Sequence, residues 1–238
     1  MKTISYYFLI FFIYSVLGWI MESTYVSIGQ KKFVNRGFLI GPYCPIYGYG
    51  SLIMIIYLEQ YKDNILTVFI LGIAICSFLE YITSYLMEKI FKARWWDYSD
   101  KKFNLNGRVC GKNALLFGIG GLIVIYLVHP IIETLISKLN NYLILILSII
   151  FFVIYIIDTI VSFNIVNKLK KNLSNVEVRK DSTQELKNLV SEIINNNLNN
   201  KTNINIFQKR IINAFPDFDI KKFVKIRKKK IEGLFKKN

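Results

Sequence analysis

Long apolar stretches separated by short polar loops fill the first 167 residues of the chain. A helix needs about 20 apolar residues to cross the ~30 Å hydrocarbon core of a bilayer. Five stretches meet or approach that length and predict membrane helices at about 4–28, 45–59, 65–90, 114–132 and 139–167. No small-residue cleavage signal follows the first stretch, so we expect it to be retained. The pattern predicts an all-α, polytopic membrane helix bundle with about five transmembrane helices in residues 1–167.

The second apolar stretch has an irregular beginning. Residues 37–58 carry no charge, but Pro42, Pro45 and four glycines interrupt the first part. Lipid cannot satisfy backbone polar groups, so non-helical chain at membrane depth must be buried in protein or line a cavity. We therefore expect a loop that leads into a helix at about Pro45. The amides of that loop, beside Arg36, are suited to holding an anionic headgroup or substrate.

The remaining 71 residues, 168–238, form a polar and strongly basic tail. The tail carries 18 Lys and Arg residues against 7 acids, whereas residues 1–167 carry 13 against 9. A capping-box pattern at 182–185 and a stripe of apolar residues after it predict helical pieces in the tail. Its lysine-rich end is suited either to an anionic lipid surface or to a helical hairpin packed on the membrane part.

Basic residues also give the predicted orientation. The loops after the first and third helices contain ten of them, while the opposite side has only Lys2, Lys62 and Lys138. Cytoplasmic loops carry the excess of Lys and Arg, so we predict a bacterial plasma-membrane protein with its N-terminus outside and its tail in the cytoplasm. Topology explains the positive charge, so the expected partner is membrane lipid and not nucleic acid.

Cysteine and histidine are too scarce for several kinds of site. Cys44, Cys76 and Cys110 are too few and too scattered for a disulfide framework or a zinc site, and His129 is the single histidine. A histidine-rich metal centre is excluded. We predict no metal and no cofactor.

Four acidic residues fall inside the predicted membrane helices: Glu22, Glu80, Glu88 and Asp158. Each ionisable group near the bilayer centre costs about 2.5–3.5 kcal/mol on insertion scales, so it needs a partner or an aqueous cavity. Glu80 and Glu88 share one face of the third helix with two serines. The alternative reading is an interhelical ion pair that only fixes the bundle, and it applies above all to Glu88 and Asp158.

Two loops on the predicted cytoplasmic side complete a candidate site. Arg36 and Arg108 are the cations placed to pair with the acids, and we predict a polar site built from Glu22, Arg36, Glu80, Asp97 and Arg108. Residues expected to shape the loops are Gly37, Gly41, Pro42, Pro45, Tyr47, Gly48, Trp95, Trp96, Tyr98, Asn106 and Gly107. The tryptophans are equally typical of an interfacial aromatic anchor, and Asp97 of an Asx turn.

Five short runs, in order, resemble the bacterial family of putative ABC-transporter type IV membrane proteins over roughly residues 5–165. They are Gly18-Trp19 with Glu22, Asn35-Arg36-Gly37 through Pro45-Ile46-Tyr47-Gly48, Leu79-Glu80-Tyr81, Trp95-Trp96-Asp97-Tyr98-Ser99, and Asn106-Gly107-Arg108-Val109-Cys110. The resemblance implies a transporter permease but carries no catalytic or substrate residues. The chain has no G-x-x-x-x-G-K-[ST] loop, so a permease would need a separate ATPase subunit.

Three functions are compatible with these observations. The leading hypothesis is a transporter permease-like membrane subunit whose acids bind a cation or proton, or orient the arginines toward an anion. The second is a noncatalytic scaffold or regulator whose tail recruits a partner. The third is a membrane enzyme acting on a lipid-linked substrate, with an acid as general base and Arg108 holding phosphate. The sequence leaves the substrate and the oligomeric state open.

Overall fold

The computed structural model describes residues 3–91, 94–177 and 206–215, and within these ranges it is helical. The helices are α1 (Ile4–Gln30), α2 (Pro45–Leu58), α3 (Ile65–Phe91), α4 (Gly111–Ile123), α5 (His129–Ser137), α6 (Asn141–Glu177) and α7 (Ile206–Ala214). A short 3₁₀ turn, Glu59–Tyr61, follows α2. A π-helical turn, Val124–Val128, joins α4 to α5.

Local sequence signals place several of the helix ends. The Thr3 side chain accepts a hydrogen bond from the Tyr6 amide at the start of α1, and Asn64 and Asn140 cap α3 and α6 in the same way. Pro45 opens α2, where its missing N–H costs nothing. Pro130 also lacks an amide hydrogen, so it cannot donate to the preceding turn, and the π-helical turn widens the helix there.

Within the part of the chain that the structure describes, four helical segments are long and apolar enough to cross a membrane: Ile4–Gln30, Ile65–Phe91, Gly111–Ser137 and Asn141–Leu169. They confirm the predicted helical membrane class. The second predicted segment is different, because α2 has 14 residues and therefore extends about 21 Å. A helix of that length covers only part of a ~30 Å hydrocarbon core.

A loop of residues 31–44, called here the first loop, supplies the rest of that segment. It turns at Lys31, which adopts a left-handed conformation, and runs back beside α1. The Cys44 amide donates to the Ser15 carbonyl at 2.8 Å, midway along α1. Gly48 then lies against Phe11, so α2 continues toward the start of α1. Residues 31–58 therefore retrace α1, first as loop and then as helix.

Residues 97–110, called here the second loop, fold back on α3 in a similar way. Asn106 donates to the Tyr81 hydroxyl at 2.9 Å, and Arg108 donates to Ser84 at 3.2 Å. Helix α4 then packs closely against α3, where a Cβ on Gly72 would lie 3.7 Å from the Gly121 Cα. Both loops thus return along part of the preceding helix before the next helix begins.

The chain divides into two compact units. The first comprises residues 1–85 and 97–159, and its core is built from aliphatic side chains of α1 to α6, among them Ile10, Leu58 and Val68. Phe12 stacks on Phe151 at 4.4 Å between ring centroids. The second comprises residues 86–96 and 160–238, and its described part contains an aromatic group of Phe91, Trp95, Phe163 and Phe215.

Lipid-facing surface is extensive on two of the spans. Only 11% of the most apolar window of α3, and 11% of that of α6, is buried within the protein. Apolar side chains such as Phe78, Ile150 and Ile157 are exposed on them. Exposed apolar surface on this scale is what a bilayer requires.

The predicted tail falls largely outside the described residues. Helix α6 continues to Glu177, ten residues beyond the predicted membrane boundary at 167, and α7 lies within the predicted basic tail. The capping box at 182–185 and the lysine-rich end lie outside the described residues.

Candidate functional site

Glu22 and Arg36 form the first half of the candidate site. Arg36 lies in the first loop, and its Nη2 is 3.2 Å from Glu22 Oε1 on α1. A second contact fixes the backbone of Arg36 against α1, because its amide donates to Ser23 Oγ at 3.2 Å. Next to it, the Trp19 indole donates to the Asn35 side chain at 2.8 Å. The predicted pairing of Arg36 with a membrane acid therefore exists, and the pair is partly exposed.

Glu80, on α3, forms the second half. Its side chain is 8% exposed, and Oε1 accepts a hydrogen bond of 3.3 Å from the Tyr98 hydroxyl. Its other oxygen, Oε2, is buried without a hydrogen-bond partner among the described residues, and so is Ser77 Oγ one turn earlier on α3. The Asn113 side chain, in the first turn of α4, makes hydrogen bonds with the Glu80 carboxyl and with the Tyr98 hydroxyl, while Oε2 itself has no partner among the described residues.

The two halves lie within electrostatic range of each other. The Glu22 carboxylate acts on Glu80, and Tyr47 of α2 is close enough to interact with both Glu22 and Tyr98. Burial raises the pKa of the Tyr98 hydroxyl, and the neighbouring Glu80 carboxylate raises it further. Tyr98 therefore stays protonated at neutral pH and serves as a donor. The result is two acids, only one of which has an ion-pair partner among the described residues.

Arg108, the second predicted cation, has a different environment. It is 9% exposed, donates to Ser84 Oγ, and its guanidinium lies over the rings of Tyr81 (5.7 Å) and Tyr85 (5.5 Å). Cation–π contacts of this kind stabilise a desolvated arginine by about 2 kcal/mol. Arg108 thus anchors the second loop to α3, and no ion pair joins it to Glu80 within the part of the chain that the structure describes.

Asp158, on α6, binds the first loop. Its carboxylate accepts from the amides of Ile40 (2.9 Å) and Gly41 (2.7 Å) and from the Tyr43 hydroxyl (2.6 Å). Burial, and the hydrogen bond to Asp158, raise the pKa of Tyr43, so it remains a donor. The amides expected to hold an anion are largely committed within the protein, because those of Val34, Arg36 and Cys44 also donate internally.

The other candidate acids have local partners. Asp97 accepts from the amide and hydroxyl of Ser99 at 3.0 and 2.6 Å and is exposed, which is the Asx-turn arrangement. Glu88 is 3.4 Å from Arg94 in the second unit. Among the described residues, no hydrogen bond joins Asp97 to Glu22 or Glu80.

Several of the loop residues singled out from the sequence have backbone conformations that explain why a glycine or asparagine occupies the position. Gly37 and Gly107 have φ angles of 112° and 67°, and Asn106 has 54°, in the region that side chains rarely adopt. A Cβ on Gly41 would meet the Tyr43 ring and Asp158. Trp95 is 2% exposed and packs on Phe91 and Phe215, so it is an internal anchor of its unit, while Trp96 is half-buried.

Asn113 is a site residue that sequence reasoning missed, and Ser77 is one of the two serines that it placed on the Glu80 face without assigning it to the site. Asn113 is polar at the beginning of an apolar helix, which was the available signal, but polar residues at helix starts are also common as caps. Ser77 lies on the face of α3 that carries Glu80, and that spacing was visible in the sequence. Nothing in the sequence indicated that its hydroxyl would be buried beside a carboxylate.

Residues 9–163 match the profile of the family described as "Putative ABC-transporter type IV". The match covers about two thirds of the chain and includes every residue of the site from Glu22 to Asn113. The chain belongs to this family. It is accordingly a multi-pass membrane protein of an ABC-transporter-type family, as the resemblance implied. No significant match was found among curated proteins or among solved structures.

Proposed function

We propose that this type IV family protein is a transporter permease-like subunit whose polar site, centred on Glu80, receives a proton or a small cation from the cytoplasmic side. The observation that carries the proposal is the buried Oε2 of Glu80, which lacks a hydrogen-bond partner among the described residues. A buried carboxylate oxygen without a partner costs free energy, and such groups in native proteins usually mark bound water, an ion or a functional role.

The charges around Glu80 favour a cation over an anion. Glu22 is already neutralised by Arg36, and Arg108 is occupied by Ser84 and two tyrosine rings. The first-loop amides at Ile40 and Gly41 are occupied by Asp158. An anion would therefore have to displace existing partners, whereas a proton or cation would complete the coordination of Glu80.

The same contacts weigh against the membrane-enzyme hypothesis. That reading needs Arg108 and the loop amides to hold a phosphate, and each has a partner inside the protein. The scaffold hypothesis depends on the tail, most of which lies outside the described residues.

The decisive experiment is native mass spectrometry of the protein extracted gently from its own membranes. A permease should carry an ATPase subunit in fixed stoichiometry, because the chain has no P-loop of its own. Isolation of the chain alone, or with bound lipid only, would contradict the proposal.

The role of Glu80 is tested in the same complex by Glu80→Gln. We expect the ATPase to remain bound but its hydrolysis rate, measured in nanodiscs, to differ clearly from the wild-type rate, because a neutral amide cannot take up the proton or cation. The matched control is Glu88→Gln, on the same helix but with Arg94 as a partner, and it should hydrolyse ATP at the wild-type rate. Equal rates in Glu80→Gln and wild type would remove Glu80 from the proposal.

A further inference from the structure

A second group of polar side chains lies apart from Glu80, near the ends of α2 and α5. Glu59 follows α2, and His129 and Glu133 lie one turn apart on α5. One ligand atom from each of the three lies within 4.8 Å of the other two. His129 is 3% exposed, and the glutamates are half-buried.

The backbone presents these residues together for local reasons. Residues four apart on a helix share a face, so His129 and Glu133 point in one direction. The π-helical turn Val124–Val128 ends immediately before His129. Such turns frequently occur at functional sites, since the extra residue per turn re-aims the side chains that follow. Glu59 reaches the same place from a helix 70 positions earlier in the chain.

We infer that Glu59, His129 and Glu133 form a binding site for a divalent first-row metal ion of the Zn²⁺ class. One imidazole nitrogen and two carboxylate oxygens are ligands of the kind found in three-residue zinc sites. A tetrahedral ion with bonds of about 2.1 Å separates its ligand atoms by about 3.4 Å. Small side-chain rotations bring the three atoms from their present spacing to that one.

The charge balance supports an ion at this place. Two carboxylates and one imidazole offer a divalent cation opposite charge and a nitrogen ligand at one place. Leu58 and Ile132, next to two of the ligands, are buried apolar side chains. Apolar surroundings strengthen the attraction between the ion and its ligands.

Three protein ligands leave a fourth position on the ion for water or an incoming ligand. Sites of that kind exchange their metal, in contrast to closed structural sites with four protein ligands. The inference does not depend on the proposed function of Glu80. The inference departs from the expectation of no metal, which rested on the scarcity of histidine and cysteine in the sequence.

The test is equilibrium dialysis of the full-length protein in nanodiscs against chelator-buffered Zn²⁺, with bound zinc measured by elemental analysis. We expect one saturable Zn²⁺ per chain, lost in His129→Gln and weakened at least about tenfold in Glu133→Gln. The matched control, Asp63→Asn, removes an exposed carboxylate four residues from Glu59 and should bind as wild type.

Two readouts keep the result interpretable. If His129→Gln fails to fold, the partly exposed Glu59→Gln serves in its place, and Co²⁺ absorption spectra report whether the nitrogen ligand is present. Zinc binding that is absent, or identical in wild type and in a folded His129→Gln or Glu59→Gln variant, would overturn the inference. In that case a protonated His129 between the two carboxylates accounts for the cluster.

Discussion

The first and second loops fold back on their preceding helices in the same manner but are held by different means. The first loop takes its hydrogen-bond partners from other elements, with Ser15, Ser23 and Ser27 of α1 on one side and Asp158 of α6 on the other. The second loop is bonded largely to itself. Its Tyr98 amide donates to the Gly107 carbonyl, and Asn104 bonds both the Ser99 and Lys101 carbonyls.

The difference follows from where each loop lies. Residues of the first loop such as Val34, Leu39 and Cys44 are buried against α1, whereas residues 99–106 of the second loop are exposed. Chain buried at membrane depth must find protein partners for every amide. Exposed chain can use water, so it needs only enough internal bonds to fix its shape. The comparison indicates that the first loop is part of the membrane core and the second a cap on it.

The largest expected effect comes from Gly48→Ala, in the helix that follows the first loop. A Cβ there would lie 2.5 Å from the Phe11 carbonyl oxygen, which is backbone and cannot rotate away. We expect a loss of folded yield, or a destabilisation of more than about 3 kcal/mol, the upper end for overpacking. Size-exclusion profiles and thermal melts in one detergent measure this.

Two glycine variants sharpen that result. Gly50→Ala is the matched control on the same helix, because its Cβ meets only ordinary contacts at 3.5 Å or more. Gly118→Ala, in the helix after the second loop, meets the Phe69 ring, which can turn aside, so its cost should be smaller. A Gly48→Ala protein as stable as Gly50→Ala would show that α1 and α2 do not pack this closely.

A middle-sized effect is expected from Asp158→Asn. An asparagine offers one acceptor oxygen where the carboxylate accepts three hydrogen bonds, and bonds to a charged group contribute about 1.5–3 kcal/mol each. We expect a loss of about 2–4 kcal/mol and faster amide hydrogen exchange in residues 31–44.

The matching variant in the second loop is Asn104→Ala. Asn104→Ala removes bonds that lie within that loop, so it should accelerate exchange in residues 97–110 and leave residues 31–44 protected. Equal acceleration of exchange in both loops of Asp158→Asn would contradict the distinction between a first loop bonded to other helices and a second loop bonded largely within itself.

The smallest effect is expected from Glu22→Gln. The side chains of the Arg36–Glu22 pair are 18% and 25% exposed, so solvent screens their attraction. Partly exposed pairs contribute about 1 kcal/mol or less. A thermal melt should therefore shift by only a few degrees, and a collapse of the fold would mean that the pair is a structural anchor comparable to Asp158.

Much of this arrangement could be predicted from the sequence, and the misses have physical causes. Apolar length gave the helices, and proximity along the chain made Arg36 a reasonable partner for Glu22. Asp158 could not be matched to Ile40 and Gly41, because the contact spans more than 115 residues and backbone amides leave no signature. The sequence analysis predicted an acidic partner for Arg108 because it considered only charges. The observed partners include the rings of Tyr81 and Tyr85.

The second segment was predicted as a loop followed by a helix from about Pro45, and α2 begins there. The sequence did not reveal that amides of the first loop would donate to Ser15 and Ser23 of α1. The cluster at His129 was missed for a related reason, since Glu59 joins it only through the packing of α2.

The hydrogen bonds that the first loop donates to Asp158 also bear on how the chain is made. Residues 40 and 41 leave the ribosome long before residue 158, and at about 5–20 residues per second the interval is roughly 6 to 24 s. During that time the nascent loop has no acceptor from α6. Its amides must be hydrated or bonded to other partners during this interval. They can donate to Asp158 only after α6 has been synthesised and has packed against the first loop.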